Sequence, residues 1–251
     1  MDKKILFVVV SKDEQYGLMK NTLDQLCLND HFDCKWVLNN KKNLTVVYNE
    51  ILNSPEAVNY KAIVLLHSDV SLDINSLCVH IFMCYDKYDV MGLCGCEKIS
   101  VSESPLNWFC GSRKYPDGRW GFVTHGELNN LVSFFNKHSP DFTDHHVSCI
   151  DGLCIIFTQR AVKAGLRFDE QLRFNCYDTQ ISFDAIMKFK MKLGCLVEKS
   201  LVHQSVGKSI LTDDFLEDEI ILRKRFGFDI PHDSKIEKYL KNKEQLCQNK
   251  Q

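Results

Sequence analysis

Six consecutive apolar residues, Ile5 to Val10, follow paired lysines and stop at the polar run Ser11-Lys12-Asp13-Glu14. A run this short and this β-branched predicts a buried strand. Tyr16, Met19, Leu23, Leu26 and Cys27 then recur at helical spacing. "CKWVLNN" reads as a second strand that ends at paired asparagines. "LTVVYNEILNS" reads as a helix closed by Ser54-Pro55, and "YKAIVLLHSD" as a third strand. "INSLCVHIFMCYDKY" returns to the helical period and "DVMGLCG" to a strand. Strands that alternate with helices predict an α/β fold: a mostly parallel sheet, Rossmann-like, with helices on both faces.

The pattern breaks between about residues 97 and 146. "SESPLNWFCGSRKYPDGRWGF" has no clean period and holds prolines, glycines and aromatics. It predicts loops or short hairpins, and an irregular insertion on a rigid scaffold often carries function. The acceptor side of a site is expected here, with a purely structural excursion as the alternative. "VSCIDGLCIIFTQRAVKAGL" restores strand, turn and helix. "RFDEQLRFNCYDTQISFDAIMKFKMKLG" predicts a loop running into a long helix stopped by Gly194, and "CLVEKSLVHQSVG" a short strand and loop. Two C-terminal helices follow. Residues 1–210 are expected to form one catalytic-type domain, with 211–251 a helical extension packed on it.

Composition narrows the class. The 251 residues are 45% hydrophobic with 16 Phe, enough for a substantial core. Net charge is −2, which argues against a nucleic-acid partner. Twelve cysteines include no C-x-x-C pair, so zinc ribbons and thioredoxin-type sites are not indicated. Several lie in apolar runs, where Cys packs as a small hydrophobe. The first apolar run is too short for a signal peptide or a membrane span. These features imply a reduced, cytoplasmic setting with free thiols. Lysines and apolar residues in the terminal helices leave room for weak membrane-surface contact, and homo-oligomerisation stays open.

Candidate chemistry gathers at strand ends, where open α/β sheets bind ligands. Those ends are Ser11, then Asn39 and Asn40, then His67-Ser68-Asp69. No Gly-rich loop follows the first strand, so a metal held by a carboxylate is the natural device for neutralising phosphate. Asp69 would be thrust to the sheet edge by "IVLLHS". It serves equally well as a cap for the next helix, with Ser71 and Asp73 as rivals. "LVHQSVGKS" ends like a phosphate-binding loop, but Val202 stands where such a loop needs glycine. His203, Gly207, Lys208 and Ser209 nevertheless make a cationic, donor-rich segment suited to phosphate. Asp178, at the mouth of the long helix, is either a proton acceptor or, with Thr179, an N-cap. Asp151 precedes Gly152 after a strand, as a ligand contact or a turn aspartate. Trp108, Tyr115 and Trp120 offer aromatic faces to a sugar or anchor a minor core.

"VVYNEILN", "VLLHSDVSLD", "CIDGLCIIFTQRAV", "FDEQLRFNCYDTQISFDA" and "VHQSVGKS" occur in that order. Together they resemble family 2-like glycosyltransferases of the GT-A fold, in the branch related to the streptomycin-biosynthesis protein StrF. The resemblance spans roughly residues 1 to 210. It implies a nucleotide-sugar donor (UDP, GDP or dTDP sugar) and a glycan or lipid-linked acceptor. It implies Mn2+ or Mg2+ on Asp69 and His203, and Asp178 as the base of an inverting transfer. Ser11, Asn39, Asn40, Asn49, His67 and Lys208 would hold the nucleotide. Asp151, Gly152, Trp120 and Tyr177 would face the donor sugar or acceptor. The chain departs from the pattern at His67 and Gln180, where the family carries acids. A catalytically degenerate module that binds a nucleotide or a partner protein is the alternative. A sugar-phosphate nucleotidyltransferase would need a Gly-rich basic loop that "VVVSKDEQYG" does not supply.

Overall fold

The run Ile5–Val10 forms β1, and each of its residues is buried. The structure, a computed structural model, describes residues 5–12, 32–106, 118–126, 132–135, 144–204 and 211–248. Alternation along β1 divides its side chains between two layers. Ile5, Phe7 and Val9 enter one core; Leu6, Val8 and Val10 enter the other. Helix α1 (Leu44–Leu52) covers the second face through Leu44, Val47, Tyr48 and Ile51. Helix α2 (Ile74–Cys84) covers the first through Ile74, Leu77, Cys78 and Ile81.

Seven strands form the main sheet in the order β2-β1-β3-β11-β5-β12-β9. They are β2 (Phe32–Val37), β1, β3 (Ala62–His67), β11 (Cys154–Thr158), β5 (Val90–Gly92), β12 (Leu193–Leu196) and β9 (Asp144–His146). The sheet is mixed. β2, β1 and β3 run parallel, as do β5 and β12. β11 is antiparallel to both its neighbours, and β9 to β12. This reversal matters for the site. Cys154 opposes Leu66, so β11 begins where β3 ends. The turn before β11, Asp151 to Leu153, therefore sits at the carboxyl edge beside His67, whose N–H donates to the Leu153 carbonyl at 3.0 Å.

A smaller sheet runs β10-β6-β7-β13-β4, with β8 (Val132–Phe135) on β7. Its strands are β10 (Cys149–Ile150), β6 (Cys94–Cys96), β7 (Arg119–His125), β13 (Val202–His203) and β4 (Val70–Ser71). The irregular middle thus supplies strands to both sheets. The predicted helix at residues 14–28 lies outside the described residues, as do Trp108 and Tyr115.

Helix α3 (Gln159–Lys163) follows β11, and α4 (Tyr177–Phe183) continues as a wider turn, Asp184–Lys188. The expected stop at Gly194 is corrected. The chain leaves the helix at Phe189 and Lys190, the latter at φ 56°, and Gly194 lies inside β12. Gly194 is needed there for space: a Cβ would stand 2.4 Å from the Tyr88 ring.

Helices α5 (Asp213–Phe226) and α6 (Lys235–Gln248) close the chain. Thr212 caps α5 and Gly227, at φ 69°, ends it. The helix docks on α4 through Phe183 against Phe226 and Leu222. Arg173 holds it with contacts to Asp214, Glu217 and Asp218. No helix among the described residues is long and apolar enough to cross a membrane.

Candidate functional site

Strand β4 pairs antiparallel with β13, placing His203 opposite Val70 and beside Asp69. His203 Nε2 lies 3.3 Å from Asp69 Oδ2, and the Gln204 N–H donates to the Asp69 carbonyl at 2.9 Å. His67, the last residue of β3, brings Nδ1 to 4.0 Å from Asp69 Oδ1. One ligand atom from each of the three lies within 4.8 Å of the others. The cap of α2 is Asp73, whose carboxylate accepts from Asn75 N and Ser76 N. Asp69 is therefore free of the capping task its position suggested.

Electrostatics fit a cation. Burial alone would raise the Asp69 pKa, but the hydrogen bond and charge of His203, with His67, hold it below the usual carboxylate range. Burial pushes His203 down, and contact with Asp69 outweighs it and leaves the imidazole raised. Burial keeps His67 below its ordinary value despite Asp69 and Asp151. His203 Nδ1 is buried without a hydrogen-bond partner among the described residues. One carboxylate and two imidazoles at these separations suit a divalent metal ion.

Across the edge stands Asp178, two residues into α4, near the positive end of the helix dipole. It is half-buried and accepts from Thr179 N at 2.7 Å and from the Gly152 N–H. Burial first, and Asp151 second, push its carboxyl up to about 7. Such a group is poised to take a proton at neutral pH. Tyr177 joins the two halves. Its hydroxyl meets His67 Nε2 at 2.6 Å and donates to the Gly152 carbonyl at 3.0 Å. A Cβ at position 152 would lie 2.2 Å from the Tyr177 hydroxyl, so only glycine fits. Asp151 donates its N–H to the Cys94 carbonyl and accepts from Leu153 N, and its charge acts on His67, His203 and Asp178.

Two imidazoles and two carboxylates, His67, His203, Asp69 and Asp178, thus share one carboxyl edge, and a profile of the Glycosyltransferase like family matches residues 5–224. The chain belongs to this family. No curated protein sequence matches the chain. Similar solved structures include the following two. A197 from STIV has a TM-score of 0.43 at 13% identity, covering 83% of this chain and 98% of that one. GalNAc-T7, crystallised with UDP, GalNAc and Mn2+, has a TM-score of 0.49 at 9% identity, covering 88% of this chain. This glycosyltransferase-like chain spans 47% of the GalNAc-T7 chain.

Within this glycosyltransferase-like fold, the other residues singled out in the sequence divide. Ser11 and Asn40 tie the ends of β1 and β2 together, Ser11 N to Val37 O and Asn40 N to Ser11 O, both at 2.9 Å. Asn39, at φ 51°, and Asn40 line a cleft of about 350 Å³ beside Val47 and Ile51. The Asn40 amide is engaged with Lys42. Asn49 is not brought to the cluster; its buried amide bonds Phe168 N and O and Glu170. Trp120 donates to Glu97 Oε1 at 2.8 Å and stacks on His145, centroids 3.5 Å apart. His145 Nε2 is 2.7 Å from that same oxygen. Lys208 lies outside the described residues.

Three neighbours take no site role from the sequence, although Lys12 follows Ser11 at the end of β1 and Phe174 lies in the motif "FDEQLRFNCYDTQISFDA". Phe174 stacks on His67 with centroids 5.9 Å apart and is 48% exposed. Lys12 lies 5.4 Å from that same ring. His125 sits beside His203 in register, ring centroids 5.2 Å apart. Each depends on tertiary pairing that no local period announces.

Proposed function

We propose that the chain is a metal-dependent, inverting glycosyltransferase that moves a sugar from a nucleoside-diphosphate donor to a hydroxyl on a glycan or lipid-linked acceptor. The observation that carries this reading is the pairing of Asp69 and His203 at 3.3 Å on the edge that also holds Asp178. Asp69 and His203 would hold Mn2+ or Mg2+, which when bound offsets the charge that develops on a departing diphosphate. Lys208, five residues after His203 in the sequence, is the expected cation. Asp178 takes the proton of the acceptor hydroxyl. The hydroxyl oxygen then bonds to the anomeric carbon from the face opposite the diphosphate. The bond from that carbon to the diphosphate oxygen breaks and its electron pair leaves with the diphosphate. A single displacement inverts the centre.

The donor nucleoside is expected beyond β1 and β2, at Ser11, Asn39 and Asn40, and the sugar or acceptor against Asp151, Gly152 and Trp120. The five ordered motifs favour the GT-A, StrF-related branch, and the free, mostly buried thiols of the described cysteines favour a cytoplasmic setting. Isothermal titration of UDP, GDP and dTDP, with and without Mn2+, tests the reading. One diphosphate binding only with metal, and not to Asp69→Asn, supports it. Absence of binding to all three sinks it.

A further inference from the structure

The Tyr177 hydroxyl has one proton and two partners, His67 Nε2 at 2.6 Å and the Gly152 carbonyl oxygen at 3.0 Å. A carbonyl oxygen only accepts, so the phenolic proton goes to Gly152. Toward His67 the phenol oxygen must then accept, and Nε2 must carry the imidazole hydrogen. A neutral imidazole has one N–H, which leaves Nδ1 with its lone pair. The opposite tautomer would leave Nε2 facing an oxygen with no proton between them. It would also point an Nδ1–H at Asp69 Oδ1 across 4.0 Å, too far for a hydrogen bond.

That lone pair faces Asp69. Two donors held at about 2.1 Å from one ion lie no more than about 4.2 Å apart. His203 Nε2 to Asp69 Oδ2 at 3.3 Å and His67 Nδ1 to Asp69 Oδ1 at 4.0 Å each satisfy the limit, and the three donors, all within 4.8 Å of one another, would draw in slightly around one ion. Metal-bound histidines commonly have the second nitrogen fixed by a neighbouring group, which sets the tautomer and the ring plane. Here Tyr177 is that group, and it is itself seated by Gly152, where any side chain would strike it.

Resting on the metal-dependent reading above, we infer that His67 is a third metal donor through Nδ1, that Tyr177 is the positioning residue holding its tautomer, and that the set selects transition-metal dications over Mg2+. Imidazole nitrogen suits such ions, whereas Mg2+ takes oxygen donors. The position where the family carries an acid has thereby changed the donor, not lost the site. Tyr177 precedes Asp178 in α4, so the same hydrogen-bond chain ties the metal edge to the proton acceptor.

The test uses the full chain, stripped of metal. Long-range proton–nitrogen NMR correlations report the His67 tautomer, and calorimetry reports Mn2+ and Mg2+ affinity without any turnover. The expected wild type shows Nε2–H and binds Mn2+ at least about tenfold tighter than Mg2+. Tyr177→Phe keeps the ring packing and should weaken Mn2+ by about 10–100-fold. His67→Ala should weaken it at least as much and remove one of two imidazole couplings in the Mn2+ spin-echo spectrum. If Tyr177→Phe fails to fold, His67→Asn, which keeps a donor near Nδ1, should bind Mn2+ more tightly than His67→Ala. An Nδ1–H signature in the wild type overturns the inference. So does wild-type Mn2+ affinity in His67→Ala when Asp69→Asn has lost it. A wild type that binds no metal sinks the underlying metal-dependent reading instead.

Discussion

His203 and Asp69 meet at 3.3 Å although one ends a two-residue strand near residue 200 and the other follows β3. The contact depends on β13 pairing with β4 on one side, while β7 holds β13 on the other. Asp69→Asn keeps the size and the backbone bond to Gln204 but removes the charge. It is expected to lower turnover by at least about 100-fold, the upper range for loss of a metal's supporting groups. Thermal stability should change little, because Asp69 is partly exposed, 40% at the side chain, and caps no helix. Steady-state kinetics beside a melting curve separates the two effects.

Asp178 links activity and stability to pH in opposite directions. Its carboxyl is pushed up to about 7 by burial and by Asp151. The base works deprotonated, so kcat/KM should rise about tenfold per pH unit below about 7 and level off above it. In the unfolded chain the same group loses its proton near 3.9. Between about pH 4 and 7 the folded state holds more protons, so stability falls as pH rises through that window. Asp178→Asn should abolish turnover by a factor of about 100–10,000. Its Tm should exceed that of wild type by more at pH 8 than at pH 5. A gap that narrows with rising pH would contradict the raised carboxyl.

Strands β1 and β3 were legible because each is a continuous apolar run buried on both faces. α2 was legible from its 3.6-residue period, and Asp69 from its place at a strand end. Gly194 misled because a glycine after a helical stretch looks like a stop, whereas it is the Tyr88 ring that demands it. The reversal of β11 left no local trace, yet it delivers Asp151 and Gly152 to His67. The bond from Tyr177 to His67 was equally invisible, since it joins residues brought together only by that reversal. Asn49 enters the candidate set through the family resemblance, and the structure places its amide away from the His67–Asp69–His203 cluster. Its partners are the backbone of Phe168 and the Glu170 carboxylate.

Gly152→Ala tests how tightly Tyr177 is seated. The new methyl carbon would stand 2.2 Å from the Tyr177 hydroxyl and 2.6 Å from Cζ. Tyr177 is buried between Tyr48 and Phe168, with centroids at 6.3 and 5.8 Å, so the ring has little room to retreat. Overpacking of this kind costs about 1–3 kcal/mol. Chemical denaturation should show that loss, and the double variant Gly152→Ala with Tyr177→Phe should recover part of it. Full wild-type stability in Gly152→Ala would mean the turn moves freely.

Gln180 occupies a position where the family resemblance leads one to expect an acid, and restoring the acid should harm the protein. Residues two apart on a helix face different directions. Asp178 faces the site, while Gln180 is fully buried beneath the helix. Its amide donates to Asp184 Oδ2 at 2.6 Å, and its carbonyl oxygen accepts from Asp169 N at 3.0 Å. Glutamate would keep the acceptor but set a second carboxylate against Asp184. Arg225, 2.7 Å from the same Asp184 oxygen, would offset only part of that repulsion. Gln180→Glu should therefore lose about 1–3 kcal/mol of stability, the cost of an unmatched buried polar contact. Activity per folded molecule should not rise. A clear gain in kcat would show that the acid reaches the reacting groups, which the burial of Gln180 does not allow.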